Sequence, residues 1–219
     1  MNRRTVNLPV VRPASVPHGP LQVLIDSTGL KVFGAGQRLE AKHGVKSRRT
    51  WRKLHLEVDA DNGTIVAHTV TDQDDDDPSQ VARLLEQIDG EIARVTTDGA
   101  YDGAPTYATI ATYGDDIEVV IPPRSTAVLG GERGSFAQRD RHLEMIMERG
   151  RWAWQKATDY GKRSLFETTM GRYKAVIGRQ LLARGFAAQQ TEVAIRVEVL
   201  NRMLAAGRPD SVRRTTVNA

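Results

Sequence analysis

Two short apolar runs each end in an aspartate, and a third acidic residue lies between cations on a helix. Val23-Leu24-Ile25-Asp26-Ser27-Thr28 and Val95-Thr96-Thr97-Asp98-Gly99 both read as strands ending in one carboxylate. From Tyr160 onward, Arg163, Glu167 and Lys174 share one arc of about 60° when the chain turns about 100° per residue. Two strand-borne aspartates and a helix-borne glutamate form a set of hard oxygen donors suited to a pair of divalent ions. The cations beside the glutamate suit a phosphodiester. This pattern predicts a metal-dependent enzyme acting on nucleic acid, with Asp26, Asp98 and Glu167 as its catalytic and metal-binding residues.

Each residue also has an ordinary explanation. Asp26 could be a buried structural aspartate or a turn former before Gly29, although an unpartnered charge at the end of an apolar strand is costly. Asp98 could start a turn with Gly99, and Glu167 could be half of a surface ion pair with Arg163. Asp102 reads as a helix N-cap before Ala104-Pro105. Asp74 to Asp77 read as a solvated loop whose last member caps the helix starting at Pro78. Trp152 and Trp154 read as anchors that fix helices to the core. Tyr160 as a recombinase nucleophile is disfavoured, because the surrounding arginine and histidine set is missing.

Composition narrows the chemistry. With 219 residues the chain can bury one substantial core. It has no cysteine, which excludes disulfides and thiolate metal sites. The five histidines show no helical pairing of the kind a zinc protease needs. No apolar run approaches the roughly 18 residues of a membrane span and no signal-like stretch opens the chain, so a cytoplasmic protein is expected. The net charge is +4, and the distribution is uneven. Lys42, Arg48, Arg49, Arg52 and Lys53 crowd one stretch, which makes them candidate DNA contacts, although a solvated basic loop is the plain alternative.

The positioning elements follow from pattern. Four prolines within residues 1–20 indicate an extended arm. Leu21–Ile25 suits a buried central strand, and Leu54, Leu56 and Val58 alternate on a second. Asp61-Asn62-Gly63 makes a turn, and Ile65–Thr71 returns as the other arm of a hairpin. A helix from Asp77-Pro78, a strand Ile92–Thr97, a helix from Asp102 to Tyr113 and a strand Ile117–Ile121 come next. Beyond them helices are expected over Leu143 to Trp154, Lys162 to Ile177 and Glu192 to Leu204. This order predicts a mixed sheet with helices packed on it.

The order of strands and acidic residues resembles the ribonuclease-H-like fold of DDE recombinases. Asp98-Gly99-Ala100-Tyr101-Asp102 resembles the segment around the second catalytic aspartate of bacterial insertion-sequence transposases. Tyr160, Arg163, Glu167 and Lys174 fit the Y-R-E-K signature around their glutamate. Ile25-Asp26-Ser27-Thr28-Gly29, Thr50-Trp51-Arg52-Lys53-Leu54-His55, Ile121-Pro122-Pro123-Arg124 and Leu200-Asn201-Arg202 further resemble the insertion-sequence-five-like group. The resemblance implies an α/β fold with a mixed five-stranded sheet, flanking helices and a helical C-terminal part. It also implies a transposase that cleaves transposon ends and joins them to target DNA, as a homodimer or higher oligomer on double-stranded DNA. Asp26, Asp98 and Glu167 would bind two Mg²⁺ ions, with Mn²⁺ as a substitute, while Tyr160, Arg163 and Lys174 would contact DNA. The expected division is an arm at 1–20, a catalytic domain at 21–207 and a basic tail at 208–219. Members of this group carry a largely helical DNA-binding region before the first aspartate. Here a catalytic domain alone is therefore expected. Two further functions stay open: a nuclease that cuts without joining, and an inactive fragment that regulates a full-length partner.

Overall fold

Leu21–Ile25 is apolar without alternation, as a strand covered on both faces must be. It opens β1 (Leu21–Val32), the central strand of the sheet. The computed structural model describes residues 19–33, 51–130 and 137–207. The expected arm and tail lie outside the described residues except for Gly19 and Pro20, and so do Lys42, Arg48 and Arg49.

β2 (Trp51–Asp59) runs antiparallel to β1, and β3 (Ile65–Asp72) antiparallel to β2. The connection closes at Gly63, whose N–H donates to the Asp59 carbonyl at 2.8 Å. Its φ of 76° lies in the left-handed region that glycine enters without strain. β4 (Ile92–Thr96) and β5 (Glu118–Val120) lie parallel to β1 beyond its other edge, giving the order β3-β2-β1-β4-β5. This order, with β2 alone reversed, is that of the ribonuclease-H-like fold. A sixth strand, β6 (Gln180–Leu181), pairs in parallel with Lys31 and Val32. Two residues carry no readable alternation, so this strand was not among those expected.

The helices divide between the two faces of the sheet. α1 (Val81–Leu85) and α2 (Ala104–Ala111) cover one, packing Val81, Leu84, Tyr107 and Ile110 on Val23, Ile25 and Val95. α4 (Ser164–Arg172) and α5 (Phe186–Ala205) cover the other, where Phe166, Met170, Val193 and Val197 meet Leu24, Leu54, Leu56 and Val58. Leu54, Leu56 and Val58 are fully buried. Burial of that kind stabilises by about 1.5–3 kcal/mol per side chain. α3 (Ala137–Ala157) is broken at Gly150, where φ is 81° and ψ 160°. Among the described residues no helix is long and apolar enough to cross a membrane.

Several elements differ from expectation. The helix after Asp77 is a 3₁₀ turn, Pro78–Gln80, followed by the short α1, and Asp77 makes no capping bond. α2 begins after Gly103, so Asp102 is not its N-cap. Asp102 is buried instead, and Arg139 Nε donates to its Oδ1 at 2.7 Å. The stretch expected as one helix over 162–177 is three: a 3₁₀ turn Tyr160–Arg163, α4, and a π turn Tyr173–Ile177. Trp154 is fully buried and anchors α3, but Trp152 is 74% exposed and anchors nothing.

Candidate active site

β1 and β4 run side by side in parallel, with Leu24 opposite Thr96. Two residues further on, Asp26 and Asp98 reach the same end of the sheet. The carboxyl ends of parallel strands are where α/β sheets build their sites. Asp26 projects onto the face covered by α4, where its Oδ1 accepts the Ser27 N–H at 2.7 Å. Its carboxyl is raised above the ordinary aspartate range, first by burial, with the nearby Asp98 charge adding to the rise. The Ser27 N–H and the Arg163 guanidinium oppose that rise. Asp98 follows β4, and its Oδ1 accepts the Ala100 N–H at 2.8 Å. The turn-forming role therefore exists, but it uses only one oxygen. The other, Oδ2, lies 3.7 Å from an Arg163 nitrogen.

Glu167 sits in the first turn of α4 with its side chain 69% exposed. Its Oε1 lies 3.3 Å from Arg163 Nη1. The second guanidinium nitrogen, Nη2, is bonded to Asp26 Oδ2 as well as facing Asp98. One arginine thus touches three carboxylates drawn from β1, the end of β4 and α4. An isolated exposed pair of the Arg163–Glu167 type contributes about 0.2–1 kcal/mol, so the helical pair alone does not account for this cluster.

Lys174 belongs to the π turn, a form of helix that recurs at functional sites. Its Nζ donates to Thr28 Oγ1 at 2.5 Å, two residues along β1 from Asp26. Tyr160 is half-buried, its ring 5.2 Å from that of Trp154. Trp154 Nε1 donates to His142 Nδ1 at 2.8 Å. His142 must then carry its proton on Nε2, which donates to the Val119 carbonyl at 2.8 Å. Burial lowers the His142 pKa, consistent with this neutral form. A cleft of about 450 Å³ opens beside the cluster, lined in part by Trp152, Lys156, Tyr160, Arg163 and Glu167.

The remaining predicted contacts are placed elsewhere. Arg52 pairs with Asp72, donates to Gln189 Oε1 at 2.9 Å and lies over the Phe186 ring at 5.2 Å. Lys53 lies 3.0 Å from Asp77 Oδ1 and donates to the Asp75 carbonyl at 2.7 Å. Both are engaged with protein groups and, being adjacent on β2, project to opposite faces of the sheet. Two supports lie in segments that carry the resemblance, although the sequence pattern assigned neither of them this role. Arg124 donates to the carbonyls of Gly99 at 3.2 Å and Ala100 at 2.8 Å, gripping the loop behind Asp98. Asp102, held by Arg139, accepts the Arg124 N–H at 2.9 Å and completes the clamp.

Asp26, Asp98 and Glu167 form an all-carboxylate donor set, which matches the preference of Mg²⁺ and Mn²⁺ for hard oxygen. Among the described residues no three His, Cys, Asp or Glu side chains converge closely enough to share one ion. Arg163 stands between these three, and a bound cation would take over its neutralising charge.

Among solved structures, the chain is similar to one in the cryo-EM structure of the simian T-cell lymphotropic virus intasome in complex with PP2A regulatory subunit B56 gamma. The two are 14% identical with a TM-score of 0.35, and the match covers 95% of this chain and 63% of that one. This chain therefore spans less than two thirds of that chain's length. A family model described as the transposase DDE domain matches residues 17–202. That range takes in Asp26, Asp98, Glu167 and all the strands and helices that hold them, and the chain belongs to the transposase DDE domain family.

Proposed function

We propose that this chain is a transposase of the insertion-sequence-five-like group that cuts double-stranded DNA at transposon ends and joins the cut ends to target DNA. The observation that carries the reading is that one guanidinium, that of Arg163, touches the carboxylates of Asp26, Asp98 and Glu167. These residues are far apart in sequence and have no shared structural duty beyond this point.

In this reading residues 21–207 form the catalytic domain, and it acts on DNA as a homodimer or larger assembly in the cytoplasm. Asp26, Asp98 and Glu167 would hold two Mg²⁺ ions, or Mn²⁺ in their place, which would supply an activated nucleophile and stabilisation of the leaving 3′ oxygen. Arg163 exchanges its carboxylate contacts for a DNA phosphate as the strand enters. Lys174, held at Thr28 two residues along β1 from Asp26, offers a second positive charge to the phosphodiester backbone. Tyr160 is kept rigid by Trp154 and offers a flat edge to a base in the adjoining cleft. Hydrolysis at the transposon end frees a 3′-hydroxyl, which then attacks a target phosphodiester in line. No covalent bond between protein and DNA is required.

The test is cleavage and joining on a labelled transposon-end duplex with Mg²⁺ or Mn²⁺. Wild-type protein should give both products, and Glu167→Gln should give neither while binding the duplex normally. Metal-dependent cleavage that persists in Glu167→Gln would overturn the assignment, and cleavage without joining would make the chain a nuclease.

A further inference from the structure

β1 carries its polar side chains on alternate faces, so Asp26 and Thr28 point toward α4 and Ser27 points the other way. Thr28 is held on its face by Lys174. Ser27 is held on the opposite face by Asp77, whose Oδ2 accepts the Ser27 hydroxyl at 2.8 Å. Asp77 stands at the start of the 3₁₀ turn Pro78–Gln80 but makes no bond to that turn's backbone with its side chain. Its carboxylate is directed at the sheet instead. Lys53 lies 3.0 Å from its Oδ1, and the fully buried His55 faces the same oxygen at 3.9 Å.

Ser27 is also the residue whose backbone N–H fixes Asp26 Oδ1, at 2.7 Å. With Oδ1 occupied, Oδ2 is the oxygen left to bond Arg163. We propose that Asp77 is a positioning residue for Asp26, acting through Ser27 from the far side of the sheet. Its grip on the Ser27 hydroxyl sets the peptide that orients the Asp26 carboxylate. The proposal rests on the reading of Asp26 as a metal-binding carboxylate. Asp77 has no place in the sequence patterns that singled out Asp26.

The experiment measures Mn²⁺ affinity of the full chain, by calorimetry or by the resonance signal of the free ion. The variants are Ser27→Ala, Ser27→Thr, Asp77→Ala, the Ser27→Ala/Asp77→Ala double and Asp26→Asn. Groups that orient a metal ligand change affinity by about 10–100-fold. Ser27→Ala should therefore weaken Mn²⁺ binding at least about tenfold. Asp77→Ala should do the same, the double variant should lose no more than either single, and Ser27→Thr should stay near wild type. Cleavage by Ser27→Ala should fall in kcat with KM for DNA unchanged. Ser27→Ala leaves the Asp77–Lys53 pair intact, so it stays informative even where Asp77→Ala folds poorly. Wild-type Mn²⁺ affinity in Ser27→Ala, together with its loss in Asp26→Asn, would overturn the positioning role alone. Wild-type affinity in Asp26→Asn would overturn the metal assignment and this proposal with it.

Discussion

Asp26 and Glu57 lie on neighbouring strands and face opposite sides of the same sheet. Asp26 keeps some solvent contact and is met by an arginine, a backbone N–H and a second aspartate. Glu57 sits opposite Ile25 in the register of β1 and β2, is fully buried, and has no hydrogen-bond partner for either oxygen. Burial is the largest influence on both and pushes both upward. What separates them is company. Asp26 has partners that favour its charge, while Glu57 has only burial and is raised to about 8. The side of the sheet beneath α4 is arranged to hold charge, and the side beneath α1 and α2 to suppress it. Asp77 is the exception on that second side. It meets Lys53 at the edge where Ser27 can reach it.

The widest consequence of that contrast concerns stability against pH. The folded chain keeps a proton on Glu57 that the unfolded chain releases above its ordinary value of 4.5. Stability from this group is thus fully present below about pH 4.5 and is lost progressively as pH rises toward about 8. The slope is on the order of 1.4 kcal/mol per pH unit. Glu57→Gln removes the titration, so urea unfolding at pH 5, 6.5 and 8 should show wild type losing stability relative to the variant. Parallel curves for the two would mean that Glu57 finds a partner for its charge.

Arg163→Gln tests the opposite face. Without the guanidinium between the carboxylates, Mn²⁺ should bind the DNA-free protein about tenfold more tightly, on the order of 1.4 kcal/mol. DNA binding should weaken at the same time. Weaker Mn²⁺ binding would instead make Arg163 a support that holds the carboxylates in place. The smallest expected change belongs to Lys174→Ala. It should reduce the salt slope of DNA binding by about one and weaken binding to all sequences alike. An unchanged slope would leave Lys174 as a strut for Thr28 only.

Asp26, Asp98 and Glu167, which the fold brings to one arginine, could be picked out as candidates because each is marked by its place in an element, two at strand ends and one on a polar helical stripe. The alternation of Leu54, Leu56 and Val58 likewise located β2 and the side it buries. Asp77 could not be read, because its meaning depends on Ser27, fifty residues away, across a turn and a strand register. Four consecutive acidic residues look like solvated loop, and only the folded chain distinguishes the last of them. The expected single helical stripe from Tyr160 to Lys174 was an idealisation. The chain tightens at Tyr160–Arg163 and widens at Tyr173–Ile177, yet Arg163, Glu167 and Lys174 still gather near β1. Trp152 and Trp154 offered a missed clue. Residues two apart on a helix point about 200° from each other, so only one of them could face the core.

The contact between Lys174 and Thr28 joins positions 146 residues apart, and β1 must also pair in parallel with a strand that follows some seventy residues later. Contacts of such range make folding slow. A chain still emerging during synthesis holds Asp26 and Asp98 long before it holds Arg163, so two like charges wait without their counter-charge. Asp26, Asp98 and Glu167 are gathered at Arg163 only when the helical segment that carries it has docked on β1.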